Sequence, residues 1–282
     1  MRNHLDSRNC LDYNAQSKFG QSQGKHFRSW YDVHFFESDF LMHNFPKNMS
    51  APGSFLHNSF VQAHPDRNPQ DGIFLQFAEL AEEPRIIKTH LPFSLLPKHL
   101  PDTSKVVYVV RNPKDVAVSY CHHSRLLKGY DFCGTTSDFV DHFLNDTLVY
   151  SPFWTHVKEA WKRRNQSNIH FMFYEDLKAD PKAEVTRLKN FLNVDLSNDQ
   201  IEKIVHYTSF DQMKEREGKD LMGEDTNEYA NSEIEDKDGG FFRKGQVGDY
   251  KSKLSEEDIE KINKWTKENT RDMESEFKYK IN

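Results

Sequence analysis

Apolar positions are spread unevenly along this chain. Through residue 34, Asn, Gln, Ser, His and Arg prevail, and neither a two-residue nor a 3.6-residue period can be counted, so 1–34 is read as irregular. Aromatics thicken at Phe35, Phe36, Phe40 and Phe45. Pro46, Pro52, Gly53, Pro65, Pro69 and Gly72 then mark 46–72 as loop. Beyond it the pattern sharpens. Phe74 to Ala81 reads as a short helix, and Arg85-Ile86-Ile87-Lys88-Thr89-His90 as a β-branched strand stopped by Pro92. The run Lys105 to Val110 has the continuous apolar character of a strand buried on both faces of a parallel sheet. Asn112 as N-cap, Pro113 at the first helical position and Asp115 at the third then start a helix.

The alternation continues downstream. Ser137 to Asn145 and Tyr150 to Arg164 have helical spacing, Asn168 to Tyr174 reads as a strand, and Lys182 to Leu192 and Ser197 to Tyr207 read as helices. Lys214 to Gly240 is polar, mostly acidic and glycine-containing, which predicts a long mobile loop. Ser255 to Asn269 closes the pattern as a helix capped by Ser255, with Glu256, Glu257 and Asp258 in its first turn. Strands alternating with helices predict an α/β fold: a single domain with a central parallel sheet flanked by helices.

Composition narrows the setting. The 282 residues are 36% hydrophobic and 13% aromatic, enough for a sizeable core and outside the disordered class. No apolar run approaches the length of a membrane span, and Met1-Arg2-Asn3-His4-Leu5-Asp6 has no apolar core of a signal peptide. Three cysteines in a chain this long fit a reducing compartment. A cytoplasmic protein without membrane partners is expected. A net charge of -6 argues against a broad nucleic-acid face, while local basic clusters can still hold a small polyanion.

Candidate chemistry gathers at the strand ends. Arg111 follows a strand and Ser119 lies on the next helix, so an anion at that helix N-terminus would meet a guanidinium, backbone N–H groups and a hydroxyl. Equally, Arg111 could pair with Asp115 while Ser119 packs on the sheet. A second basic element, Arg243-Lys244-Gly245, carries on through Gly248-Asp249 and could grip the same anion. Lys88 and His90 put a cation and an imidazole at one strand end, where a general base and an electrostatic stabiliser would serve group transfer. Cys121-His122-His123 is not read as a metal site, because adjacent helix positions diverge.

Taken in order, Lys88-Thr89-His90-Leu91-Pro92, Arg111-Asn112-Pro113-Lys114-Asp115 through Ser119-Tyr120, Phe173-Tyr174-Glu175-Asp176, Thr208-Ser209-Phe210, and Arg243-Lys244-Gly245 to Gly248-Asp249 resemble the cytosolic sulfotransferases. The resemblance runs from about Phe35 to Glu260, so the domain is placed at 35–282 with a mobile cap at about 214–240. It implies a P-loop-like sulfotransferase fold and transfer of a sulfuryl group, without metal, from 3′-phosphoadenosine 5′-phosphosulfate (PAPS) to a hydroxyl or amine of a small phenol, alcohol or steroid. By the resemblance His90 is the general base and Lys88 its neighbouring cation. Arg111, Ser119, Arg243, Lys244 and Gly245 grip the donor's 3′-phosphate, and Tyr174, Thr208 and Phe210 form the adenine pocket.

The chain also departs from the family. Lys251 and Glu260 match the ends of a short homodimer motif, but its centre here is Ser255-Glu256, which puts dimerisation through 251–260 in question. The Pro-Lys-Ser-Gly-Thr-Thr-Trp type loop that wraps the 5′-phosphosulfate has no counterpart. Phe45-Pro46-Lys47-Asn48-Met49-Ser50 lacks its strand and glycine, and Gly20-Gln21-Ser22-Gln23-Gly24-Lys25 is one residue short of a P-loop and has His26 where Ser or Thr belongs. By family spacing that loop falls near or before residue 1, so an N-terminally incomplete or aberrantly begun fold is expected. The alternative is a non-catalytic remnant that binds adenosine 3′,5′-bisphosphate or pairs with a full-length relative. A nucleotide kinase is excluded, since no Walker lysine with Ser or Thr follows a strand.

Overall fold

The structure, a computed structural model, describes residues 33–35, 37, 39, 50–81, 84–217, 230–279 and 281. In chain order the elements are β1 (Val33–Phe35), α1 (Phe55–Ala63), α2 (Ile73–Leu80), β2 (Ile86–Lys88), α3 (His99–Thr103), β3 (Val106–Val110), α4 (Pro113–Leu126), α5 (Thr136–Leu144), α6 (Phe153–Arg163), β4 (Ile169–Phe173), α7 (Tyr174–Ala179), α8 (Pro181–Leu192), α9 (Asn198–Tyr207), α10 (Phe210–Glu217), α11 (Ser232–Asp238), α12 (Tyr250–Lys253) and α13 (Glu256–Asn269).

Both strand pairs are parallel, as crossover helices require. In β1–β2, Val33 faces Ile86 and Phe35 faces Lys88; in β3–β4, Val106 faces Ile169 and Val110 faces Phe173. The chain resolves into two compact units. The first comprises Met1–His90, Leu126–Tyr130 and Ser209–Phe242, and the second Leu91–Arg125, Asp131–Thr208 and Arg243–Asn282. The α/β class stands, and the parallel pairing of the described residues is shared between two two-stranded sheets, because each ladder closes within its own unit.

In the first unit, Phe60 of α1 is fully buried and meets Phe77 of α2 edge-to-face at 5.4 Å. The expected loop over 46–72 therefore contains a nine-residue helix. Ser54 accepts the His57 N–H at 3.1 Å, which starts a helix immediately after Pro52-Gly53, and Leu56 and Phe60 supply the one-turn apolar spacing behind it. Helix α2 is capped from a distance: Asp39 accepts the N–H groups of Phe74 and Leu75 at 3.2 and 2.8 Å. Gly72 makes room for this, since a Cβ there would lie 2.6 Å from Asp39 Oδ2 and its φ of +95° is unfavourable for other residues. The cap predicted over 214–240 is partly helical, because α10 extends through Glu217 and Asn231 caps α11, its side chain accepting the Glu233 N–H at 3.1 Å. Ala230 and Asn231 are further held by a β-bridge to Leu127 and by an N–H bond to Leu126 O at 2.7 Å. The remaining expectation, for 218–229, lies outside the described residues, as do Gly20–Lys25, Phe45–Met49 and the irregular segment up to residue 32. Val33 and His34, assigned no element from sequence, begin β1 because they pair with Ile86 and Ile87.

The second unit has an aromatic core in which Trp154, Trp161 and Phe277 enclose Val110 and Tyr279, with Phe173 and Trp265 at its edge. Full burial of such side chains contributes about 1.5–3 kcal/mol each. Strand β3 is not buried on both faces. Tyr108 and Val110 pack inward on the aromatic core, whereas Val107 and Val109, which alternate onto the other face of the strand, are 41% and 51% exposed. The helix start expected at Asn112 is present: its side chain accepts the Lys114 N–H at 3.0 Å and its carbonyl the Val116 N–H at 2.9 Å. No helix of the described residues is long and apolar enough to cross a membrane.

Candidate functional site

In the second unit, β3 delivers Arg111 to the turn that opens α4. The Arg111 guanidinium lies over the Tyr174 ring at 4.6 Å and Nη2 donates to the Gln246 carbonyl at 3.0 Å. Its Nε is buried without a protein partner, which leaves a charged donor unsatisfied beside the helix start. Burial works to raise the Tyr174 pKa, and the Arg111 charge opposes it only in part.

Asp115 does not pair with Arg111. Its carboxylate, 1% exposed, accepts the Gly248 N–H at 2.7 Å and the Tyr250 N–H at 3.1 Å, and so ties the Arg243–Gly248 loop to α4. Gly245 and Gly248, at φ of 60° and 82°, allow the loop's reversals. Arg243 and Lys244 both contact Asp249, at 2.6 and 2.8 Å. Burial of Asp249 favours its neutral form, but the bonds from Lys244 and Arg243 outweigh this and hold it below the usual carboxylate range. Glu175 completes the corner. It accepts the Asn112 N–H at 3.0 Å and the Tyr279 hydroxyl, and burial together with that bond pushes the Tyr279 pKa up.

In the first unit, β2 delivers Lys88, Thr89 and His90. The residue organising them is Glu37, just after β1 and 3% exposed. Its Oε1 accepts the His90 backbone N–H at 2.6 Å and lies 2.7 Å from His90 Nδ1, and Oε2 accepts the Thr89 hydroxyl at 2.9 Å. Burial works to raise the Glu37 pKa, yet the bonds from the His90 side chain, the backbone and Thr89 prevail and hold the carboxyl low. Crowding by protein lowers the Lys88 pKa, with Glu37 opposing.

Of the residues singled out from sequence, the structure brings together Arg111 and Tyr174 with the loop of Arg243, Lys244 and Gly245, and gives Lys88 and His90 a common neighbouring charge in Glu37. Ser119 lies on α4, about two turns beyond Arg111. The Thr208 hydroxyl bonds its own helix at Ile204 O, 2.8 Å away, and Phe210 meets Phe242 edge-to-face at 6.1 Å. Glu37, Asp115 as loop anchor, and Glu175 were missed. Asp115 and Glu175 stand inside the quoted motifs, so their positions were visible without their partners; nothing local marks Glu37. Ser255, the centre of the questioned dimer motif, is spent on capping α13, where it accepts the Asp258 N–H at 3.1 Å.

Parallel strand ends that carry charged and polar side chains define an α/β protein. Residues 15–274 match the Sulfotransferase domain model, and the chain belongs to that family. The match begins upstream of Phe35. Over 176 residues the chain is 40% identical to mouse Sulfotransferase 1A1, covering 60% of this chain and 57% of the relative. It is 33% identical over 202 residues to the rabbit Amine sulfotransferase, covering 71% and 65%. The chain thus spans about six tenths of these relatives' length. A retinol dehydratase crystallised with androsterone and the inactive cofactor PAP matches with a TM-score of 0.64 and 30% identity, over 82% of this chain and 65% of that one. Mouse sulfotransferase SULT7A1 complexed with PAP gives 0.61 and 26%, with 71% of each chain covered.

Proposed function

We propose that this chain is a sulfotransferase that moves a sulfuryl group from PAPS to a hydroxyl or amine of a small acceptor. The observation that carries the reading is the β3–α4 corner, where Arg111 keeps a buried, unpartnered Nε beside a loop bearing Arg243 and Lys244. The donor set fits a phosphate: two guanidinium groups and an ammonium. The family match and the PAP-bound neighbours support PAPS as donor. Arg111, Ser119, Arg243, Lys244 and Gly245 would hold its 3′-phosphate, with Tyr174, Thr208 and Phe210 against the adenine.

When bound, the donor supplies an activated sulfuryl group whose S–O bond to phosphate breaks as the acceptor oxygen or nitrogen forms its bond to sulfur. His90 takes the acceptor's proton, and Lys88 offsets negative charge at the same strand end. Base catalysis of this kind contributes about 10²–10⁴-fold. A small acceptor in the cytoplasm, with no nucleic-acid or membrane partner, belongs to the same reading.

The test is transfer from radiolabelled PAPS to a simple phenol, beside binding of immobilised adenosine 3′,5′-bisphosphate. Turnover that disappears in His90→Ala supports the proposal. Binding without turnover favours the non-catalytic remnant, and a folded protein that binds no nucleotide overturns the phosphate corner.

A further inference from the structure

We infer that Glu37 is a positioning residue for His90, fixing the imidazole with its proton on Nδ1 so that the lone pair lies on Nε2. The inference rests on the sulfuryl-transfer reading for its purpose, but its geometry stands independently. A carboxylate can only accept, so the 2.7 Å contact between Oε1 and Nδ1 requires hydrogen on Nδ1. The same oxygen takes the His90 backbone N–H, and the second oxygen takes the Thr89 hydroxyl. These three bonds fix both the strand end and the ring it carries. Glu37 itself is 3% exposed, whereas the His90 side chain is 46% exposed. The carboxylate is thus buried beside a ring that is itself partly exposed, and its bond to Nδ1 orients the histidine and sets which nitrogen carries the lone pair. The low pKa of Glu37 keeps it an acceptor at neutral pH.

The alternative is that Glu37 merely ties β1 to β2. The two roles separate in a double-mutant cycle and in a spectrum. Glu37→Gln keeps the shape and removes the charge; Glu37→Ala removes the acceptor. If Glu37 acts through His90, Glu37→Gln lowers kcat about 10–100-fold, part of the general-base contribution, with KM for donor and phenol unchanged, and costs nothing further in a His90→Ala background. In ¹⁵N-histidine spectra of the full chain, the signal missing from His90→Ala reports the Nδ1–H tautomer in the wild type and moves toward Nε2–H in Glu37→Ala. Retained binding of adenosine 3′,5′-bisphosphate checks that each variant is folded. An unchanged His90 tautomer in Glu37→Ala, or an equal loss of rate with and without His90, overturns the assignment. A wild type that shows the Nδ1–H tautomer but transfers no sulfuryl group supports the hold of Glu37 on His90 and overturns the transfer reading instead.

Discussion

The two units solve one problem, holding charged donors at a strand end, with a buried carboxylate in each case but with different wiring. Asp115 spends both oxygens on backbone N–H groups of the Gly248–Tyr250 stretch, so it fixes a loop and leaves the cations to Asp249. Glu37 spends one oxygen on both the backbone and the imidazole of His90 and the other on the Thr89 hydroxyl, so it fixes a side chain directly. In the proposed reading the first arrangement suits binding, because the cations would trade Asp249 for a ligand's phosphate while the backbone stays in place. The second suits a site that must react, because ring orientation matters more there than summed charge. Unpaired loss of either carboxylate strands part-buried donors, which is the costly direction.

That contrast can be broken experimentally. The largest effect expected is on chemistry alone: His90→Ala should lower sulfuryl transfer about 10²–10⁴-fold and leave nucleotide binding intact, and a parallel loss of binding would show that the two units do not divide the work. Arg111→Ala removes charge-assisted bonds of about 1.5–3 kcal/mol, so affinity for adenosine 3′,5′-bisphosphate, read by calorimetry, should fall about 10–100-fold while the His90 tautomer stays as in the wild type. Asp115→Ala leaves two loop N–H groups unpaired and should cost about 1–3 kcal/mol in urea unfolding, with weaker nucleotide binding; a neutral result would deny the anchor role.

The smallest effect is graded with pH. Glu37 and Asp249 titrate below the usual carboxylate range when folded, so the unfolded chain binds more protons through that window. Their stabilisation is fully present above the ordinary carboxylate values and is lost as pH falls through the lowered native ones. The urea midpoint should therefore drop between neutral pH and about pH 3, less steeply in Glu37→Gln. An identical slope for that variant would mean that Glu37 contributes nothing to acid sensitivity.

Much of the second unit was written in local pattern. Val106–Val110 followed by Asn112-Pro113 specifies strand, turn and helix within a dozen residues, because continuous apolar character, an N-cap side chain and a proline ring act over neighbouring positions only. The helices over 137–145, 182–192, 197–207 and 255–269 emerged within a few residues of their expected bounds for the same reason. The 46–72 segment misled because its prolines and glycines flank a helix rather than prevent one, and Ser54 starts it between them. Val107 and Val109 misled because an apolar run states that a strand can be buried without stating what will cover it.

By itself, then, the sequence determined the alternation of strands and helices, the residues at the strand ends and the family. All of these depend on short spacings and residue types. The tertiary structure alone decided which carboxylate serves which donor: Asp115 meets Gly248 across 133 positions and Glu37 meets His90 across 53. A hydrogen bond constrains two groups in space and leaves no periodic trace along the chain, so these partners appear only once the chain has folded.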